Sequence, residues 1–149
     1  MLTNPTRYAL IALRYLTWGW HNNVVLASTE IAERYGINVR ALSPALQRLV
    51  TAGVLRSRRG GSKAGYMLSR NPSEITMLEV LRPLEGEYHI DCCRTLFPGV
   101  RCASDTQNCR ICRLFSGILG DLRTRLSGVT LEEHAATEDF SEESKGKMP

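Results

Sequence analysis

The chain has 149 residues, a formal net charge of +4 and 43% hydrophobic residues, values that suit one small domain with a real core and exclude a wholly disordered protein. No apolar run approaches the roughly 20 residues needed to cross a bilayer. The N-terminal segment also lacks the basic, apolar and small-residue regions of a signal peptide. The sequence therefore predicts a cytoplasmic protein without a membrane partner.

Charge is unevenly distributed along the chain. Residues 34–70 contain eight Lys or Arg and no Asp or Glu, whereas six carboxylates follow Thr130. A basic first half with an acidic tail is typical of a protein that binds a polyanion. A solvated basic face is the alternative interpretation of the same composition.

Two helices are predicted at the start of the chain. Asn4 and Pro5 indicate the first, with Asn4 as its N-cap and Pro5 at its first position. Ser28 is the expected cap of a second helix over residues 29–35, and Gly36 supplies the left-handed turn at its end. Short helices around a glycine turn are typical of a helix-turn-helix.

A third helix carries the side chains expected to read DNA. Apolar residues recur at helical spacing on one face, and the other face presents the candidate DNA contacts Arg40, Ser43, Gln47 and Arg48. Pro44 leaves two interpretations open. Either a kinked helix begins at Val39, or Ser43 is a cap and the helix proper begins at Pro44.

Two strand-like runs follow the third helix, over residues 54–58 and 66–69. They are joined by the glycine-rich loop R-G-G-S-K-A-G. Antiparallel strands joined by such a loop, directly after a helix-turn-helix, predict a winged helix. The basic run of Arg56, Arg58, Arg59 and Lys63 predicts contact with DNA phosphates or the minor groove, with an ordinary flexible hairpin as the alternative.

Two capping boxes with the pattern T-x-x-E mark later helices. Thr76 and Glu79 open a fourth helix, and Thr130 and Glu133 open a short last one. The fourth helix falls within the predicted winged domain, and the last one follows the long helix.

A long helix is predicted from about Asn108 to the residue before Gly128. Its apolar residues recur at spacings of three and four and are too numerous for a lone surface helix. A second copy of the chain is the expected cover, through Leu114, Ile118, Leu122 and Leu126. Packing back on the first helix of the same chain is the alternative.

All five cysteines lie between residues 91 and 112. Four of them follow the spacing C-x8-C-x6-C-x2-C, and Cys92 stands directly before the first of these. In a cytoplasmic protein such clusters are more often metal ligands or redox sensors than structural disulfides. Thiolates bind both zinc and iron–sulfur clusters, so spacing alone does not identify the metal. A four-cysteine zinc site usually has two C-x2-C pairs, and this segment has one.

These parts, in this order, resemble the Rrf-two superfamily of bacterial winged-helix regulators, which includes IscR-like and NsrR-like iron–sulfur proteins. The resemblance is carried by R-Y-A-L-I-A-L, by T-E-I-A-E-R-Y-G-I-N in the second helix and by A-G-V-L-R-S-R-R-G-G-S-K-A-G-Y-M-L in the wing. P-S-E-I-T-M-L-E-V-L-R-P-L-E-G, the cysteine segment and V-T-L-E-E complete it, over residues 2–135. It implies a homodimer whose long C-terminal helices cross, with an iron–sulfur cluster beside them.

The resemblance also implies a ligand set. By position, the three cysteine ligands of the family correspond to Cys93, Cys102 and Cys109. The variable fourth ligand corresponds to Cys112, which gives a four-cysteine site for a two-iron or four-iron cluster. Cys92 is an alternative first ligand. Where some members use a carboxylate from the partner subunit, this chain has Arg7 nearby, which cannot ligate.

The predicted fold class is mainly α with a small β-wing. A winged helix-turn-helix domain occupies residues 1–86 and a cysteine-rich cluster-binding loop residues 87–112. A dimerisation helix and a short terminal helix occupy residues 108–136, and a disordered acidic tail residues 137–149.

The leading functional hypothesis is a DNA-binding transcriptional regulator, not an enzyme, whose DNA affinity is controlled by the iron–sulfur cluster. Its partners would be double-stranded DNA and a second copy of the chain. One alternative is a DNA-binding thiol switch built on Cys92 and Cys93, and another is a regulator stabilised by zinc. An electron-transfer protein would leave the basic wing unexplained.

Overall fold

The computed structural model describes residues 2–61, 64–86 and 110–136. In these ranges it contains helices α1 (Asn4–His21), α2 (Ser28–Tyr35), α3 (Val39–Thr51), α4 (Met77–Glu85), α5 (Arg110–Ser127) and α6 (Leu131–Ala135). Strands β1 (Leu55–Arg58) and β2 (Gly65–Leu68) follow α3, and a single 3-10 turn (Pro72–Glu74) precedes α4. None of the helices in these ranges combines the length and apolar character needed to cross a membrane.

Helix α1 lies at the centre of the core. It packs against α2, α3, α4, α6 and β2, because its apolar positions recur with helical period around much of its circumference. The largest fully buried side chains come from α1 itself, α2, α3, both strands, α6 and the connecting segments: Leu13, Leu16, Leu26, Ile31, Leu42, Leu46, Leu49, Val54, Leu55, Leu68, Ile75 and Leu131.

The first helix begins one residue earlier than predicted. Its N-cap is Thr3, and Asn4 and Pro5 are already helical, so the prediction of Asn4 as the cap was wrong. The backbone N–H and the hydroxyl of Thr3 both donate to Oε1 of Glu85, at 2.8 and 2.9 Å. This carboxylate is at the end of α4. It supplies a hydrogen-bond acceptor at the N-terminus of α1, where the N-cap residue itself makes no side-chain capping bond.

The second helix also begins one residue early. Its N-cap is Ala27, and the predicted cap Ser28 is its first residue. Leu26 explains the shift, because its N–H and C=O pair with Tyr66 at 3.1 and 2.8 Å and hold the chain extended up to Ala27. This pairing is an isolated antiparallel β-bridge.

The wing is a two-stranded antiparallel sheet in which Leu55 pairs with Leu68 and Arg58 with Gly65. Position 65 requires glycine, because a Cβ there would lie 2.5 Å from the carbonyl oxygen of Leu26. Closely packed backbone at this point joins the wing to the helical core.

Both predicted capping boxes are confirmed. The second opens α6, which is held in place by backbone bonds from Met77 N–H to the Val129 carbonyl and from Leu131 N–H to the Ile75 carbonyl, both 2.8 Å long. Helix α6 packs on α1, whereas α5 packs on α4.

Candidate nucleic-acid interface and cysteine ligands

Helix α3 is continuous through its proline. The Oδ1 atom of Asn38 accepts a hydrogen bond from the Arg40 N–H at 2.9 Å, which caps the helix before Val39. The interpretation in which the helix begins at Pro44 is therefore wrong. This cap fixes the register that decides which side chains α3 presents to solvent.

The two faces of α3 differ in burial. Leu42, Ala45, Leu46 and Leu49 are at most 2% exposed and hold the helix against the core. The opposite face exposes Arg40, Pro44, Gln47 and Thr51, and Ser43 lies half-buried beside it. Arg40, Ser43 and Gln47 are thus on or beside the outer face, as a recognition helix requires.

Arg48 is exposed, but its guanidinium is directed at a neighbouring helix. Nη1 donates to the carbonyl oxygen of Leu84 at 3.4 Å. A cation at the C-terminus of a helix satisfies a carbonyl left without a helical donor and complements the helix dipole. In this arrangement Arg48 links α3 to α4 from the edge of the predicted DNA surface.

An open groove of about 470 Å³ lies between the outer face of α3 and α4. Its lining consists of Pro44, Gln47, Arg48, Thr51, Ala52 and Pro83.

The wing presents its basic side chains to solvent. Arg56, Arg58 and Arg59 are exposed. Because successive side chains of a strand point to opposite faces, Arg56 and Arg58 share one face of β1. Lys63 lies outside the described residues.

Other cations of the basic segment are engaged within the fold. The Arg34 guanidinium lies 4.6 Å from the centre of the Tyr15 ring, and Arg70 pairs with Glu79. Within the basic segment 34–70, as far as the structure describes it, the exposed cations that are not directed at another part of the fold are Arg40, Arg56, Arg58 and Arg59.

Tyr15 fixes α2 beside α1. Its hydroxyl donates to Oε1 of Glu30 at 3.0 Å, and its ring stacks on Trp18 with the centroids 5.2 Å apart. Burial and the neighbouring Glu30 carboxylate raise the pKa of Tyr15, so the phenol is neutral and remains a donor. These contacts orient the first helix of the helix-turn-helix relative to α1.

Cys112 is the member of the predicted ligand set that the structure describes. It lies in the first turn of α5, is 7% exposed and is the one buried residue of that helix. Its neighbours Arg110, Ile111 and Arg113 are exposed. The other candidate ligands, Cys92, Cys93, Cys102 and Cys109, lie outside the described residues.

Within residues 2–61, 64–86 and 110–136, no group of three or more potential metal ligands comes together. The chemistry of the predicted set fits an iron–sulfur cluster, because four thiolates are the donors that such clusters use. The thiol at the start of α5 is buried, and such surroundings limit the access of solvent to a metal site.

Helix α5 exposes an apolar face. Leu114 is 58% exposed and Ile118 53%, and Ile111 and Phe115 extend the same surface. Leu122 and Leu126 are half-buried, and Leu126 packs on the core of its own chain. Of the four predicted interface residues, two are therefore open to a partner and two are partly covered.

Known proteins resemble this chain in sequence over nearly its whole length. A family model described as "Rrf2: Iron-dependent Transcriptional regulator" matches residues 2–137. An HTH-type transcriptional regulator of Rhodobacter capsulatus, described as rrf2-like, is 31% identical over 140 residues, which are 91% of this chain and 93% of that protein.

Solved structures share the fold. CymR (YrzC), the global cysteine regulator of B. subtilis, matches with a TM-score of 0.73 and 24% identity, covering 93% of this chain and 98% of its own. IscR of T. potens matches with a TM-score of 0.69 and 20% identity, covering 98% and 93% respectively. The predicted fold class, mainly α with a small β-wing, is confirmed.

Proposed function

The chain belongs to the Rrf2 family of transcriptional regulators, and we propose that its affinity for DNA is controlled by a cysteine-ligated iron–sulfur cluster. The observation that carries the proposal is the position of Cys112. It joins the cysteine segment to the first turn of α5, while α5 packs on the domain that bears the DNA surface.

The DNA surface consists of α3 and the wing. Helix α3 would enter the major groove with Arg40 and Gln47 near base edges, since these residue types hydrogen-bond guanine and adenine there. Arg58 and Arg59 are exposed on the wing and would contact phosphates, which fix the position of the protein without reading sequence.

Cys93, Cys102, Cys109 and Cys112 would hold the cluster, with two or four irons, and Cys92 is the alternative to Cys93. When bound, the cluster supplies a redox-active, iron-dependent cross-link among four thiolates. Zinc is the alternative occupant of the same donors. The family description as iron-dependent supports iron.

Ligation would tie the cysteine segment to α5. Fixing the backbone of one residue costs about 1–2 kcal/mol, whereas allosteric coupling free energies are typically about 1–3 kcal/mol. Ordering or releasing even a few residues beside Cys112 is therefore large enough to change how two winged domains are presented to DNA.

A second copy of the chain would cover the apolar face of α5. Two winged domains joined through this helix would reach two half-sites on one side of the duplex. The exposure of Leu114 and Ile118 supports this arrangement.

The deciding experiment compares DNA affinity before and after cluster removal, in protein purified without oxygen and at one fixed salt concentration. A changed affinity is the expected result. Equal affinities would reject control by the cluster, even if iron and acid-labile sulfide were found in the protein.

A thiol redox switch is the second candidate, because Cys92 and Cys93 are adjacent in the sequence. It uses the same DNA surface and requires no metal. Colourless protein without iron, whose DNA affinity changes reversibly with a thiol oxidant, would favour this candidate over the cluster.

A further inference from the structure

The outer face of α3 has an apolar ring at its centre. Pro44 is exposed, and it follows Arg40 by four residues and precedes Gln47 by three, so all three lie on one stripe of the helix. Along the helix axis these steps are about 6 Å and about 4.5 Å. Pro44 therefore stands between two side chains that are suited to hydrogen bonding with bases.

The fold does not account for a proline at this position. Within a helix, proline removes the hydrogen bond to the carbonyl four residues earlier, here that of Arg40, and crowds that turn. The apolar core lies on the opposite face, through Leu42, Ala45, Leu46 and Leu49. Pro44 instead lines the open groove shared with Pro83, so it weakens α3 without filling the interior.

We infer that Pro44 is a specificity-determining residue that contacts the 5-methyl group of a thymine in the major groove. That methyl is the apolar feature that base pairs display there, and apolar side chains read it by contact. The pyrrolidine ring has no donor and no acceptor, so it favours this feature over every polar base edge. Its rigidity also means that little conformational freedom is lost on binding.

The spacing on α3 locates the thymine. Successive base pairs are about 3.4 Å apart, so an axial step of about 6 Å corresponds to roughly two base pairs. The thymine should lie within about two base pairs of the base that Arg40 reads. The inference rests on α3 being the helix that enters the major groove.

The test begins with a duplex selected by the wild-type protein from a randomised pool. Each thymine of the selected site is then replaced, one at a time, with deoxyuridine, which removes only the methyl group. At one position near the base read by Arg40, the wild-type protein should lose about fourfold in affinity, as expected for one buried methyl. P44A should bind the thymine site more weakly and should show less than half of that sensitivity.

P83A is the matched control, because Pro83 is also a proline inside a helix, beyond its first turn, and borders the same groove from α4. It should keep the full wild-type response to deoxyuridine. P44A should melt no lower than wild type, since proline is the least favourable residue in a helix interior. The salt dependence of its binding should also be unchanged, because the substitution removes no charge.

Three results would overturn the inference: a wild-type protein indifferent to deoxyuridine at every thymine, P44A with undiminished sensitivity, or a reduction in affinity spread evenly over all positions. An evenly spread reduction would show that Pro44 acts by shaping the helix and does not contact a particular base. If no site can be selected at all, DNA reading by α3 fails, and this inference fails with it.

Discussion

The exposed faces of α3 and α5 differ in what lies behind them. Behind the outer face of α3 are four side chains at most 2% exposed, so the position of each outer residue is fixed by the core. Helix α5 has one buried residue, Cys112, and presents apolar side chains to solvent. The surface of α3 is therefore complete within one chain, whereas we propose that a second copy of the chain covers α5 and that a ligand binds at its first turn.

The largest expected effect comes from placing a charge on the apolar face of α5. Ile118→Asp would bury an unpaired carboxylate between two chains, which costs several kcal/mol. We expect the variant to sediment as a folded monomer at micromolar concentration and to bind DNA at least about 100-fold more weakly.

Ser116→Asp is the control for Ile118→Asp, since Ser116 is exposed on a different side of the same helix. It should sediment like wild type. A wild-type chain that is itself monomeric under these conditions would contradict the proposed dimer.

Packing against the core also explains which features of the fold could be predicted from sequence. Helical period identified the buried and exposed sides of α3, because packing imposes that period on residues such as Leu42 and Leu46. The N-cap of α1 was misplaced because Thr3 is held by Glu85, a residue 82 positions away. Local sequence carries no information on such an interaction.

Composition was a poorer guide to the role of individual cations. Arg34, Arg48 and Arg70 belong to the same acid-free segment as Arg58. The fold directs these three toward Tyr15, the Leu84 carbonyl and Glu79. A basic segment predicts a partner of opposite charge, but only packing decides which of its side chains reach that partner.

The next largest effect should come from the wing. Arg58→Ala with Arg59→Ala should weaken binding to all DNA sequences and reduce the slope of log affinity against log salt by about 2, roughly one for each phosphate that the variant no longer neutralises. Affinity measured over a series of salt concentrations gives this slope.

Arg70→Ala is the matched control for the wing variant, because Arg70 is paired with Glu79. Its slope should remain near that of wild type. If the Arg58 and Arg59 variant kept the wild-type slope, the assignment of the wing to phosphate binding would be wrong.

Substitutions of two glycines test how tightly the winged domain and α5 are packed in the single chain. Gly65→Ala should destabilise the fold by about 1–3 kcal/mol, because its Cβ would lie 2.5 Å from the Leu26 carbonyl oxygen. Gly117→Ala has open space around it in the single chain and should stabilise α5 by about 0.5–1 kcal/mol. Denaturant unfolding measures both changes, and a Gly117→Ala variant that dimerises less well would show that the partner approaches α5 on that side.

The smallest effect expected is acid sensitivity from the first capping box. Burial raises the pKa of Glu79, but hydrogen bonds from the Thr76 backbone, Arg70 and the Thr76 hydroxyl outweigh it and lower the pKa overall. A carboxyl with a lowered pKa in the folded state stabilises the fold fully above its unfolded value, about 4.3. That contribution is lost as the pH falls through the lower folded value.

Glu79→Gln should therefore lose less stability than wild type between about pH 5 and pH 3. The difference should be under about 1 kcal/mol, because the side chain is 45% exposed. Thr76→Ser keeps the capping hydroxyl and should follow the wild-type profile in unfolding measured at each pH. Parallel profiles for Glu79→Gln and wild type would show that the capping box adds no pH dependence to the winged domain.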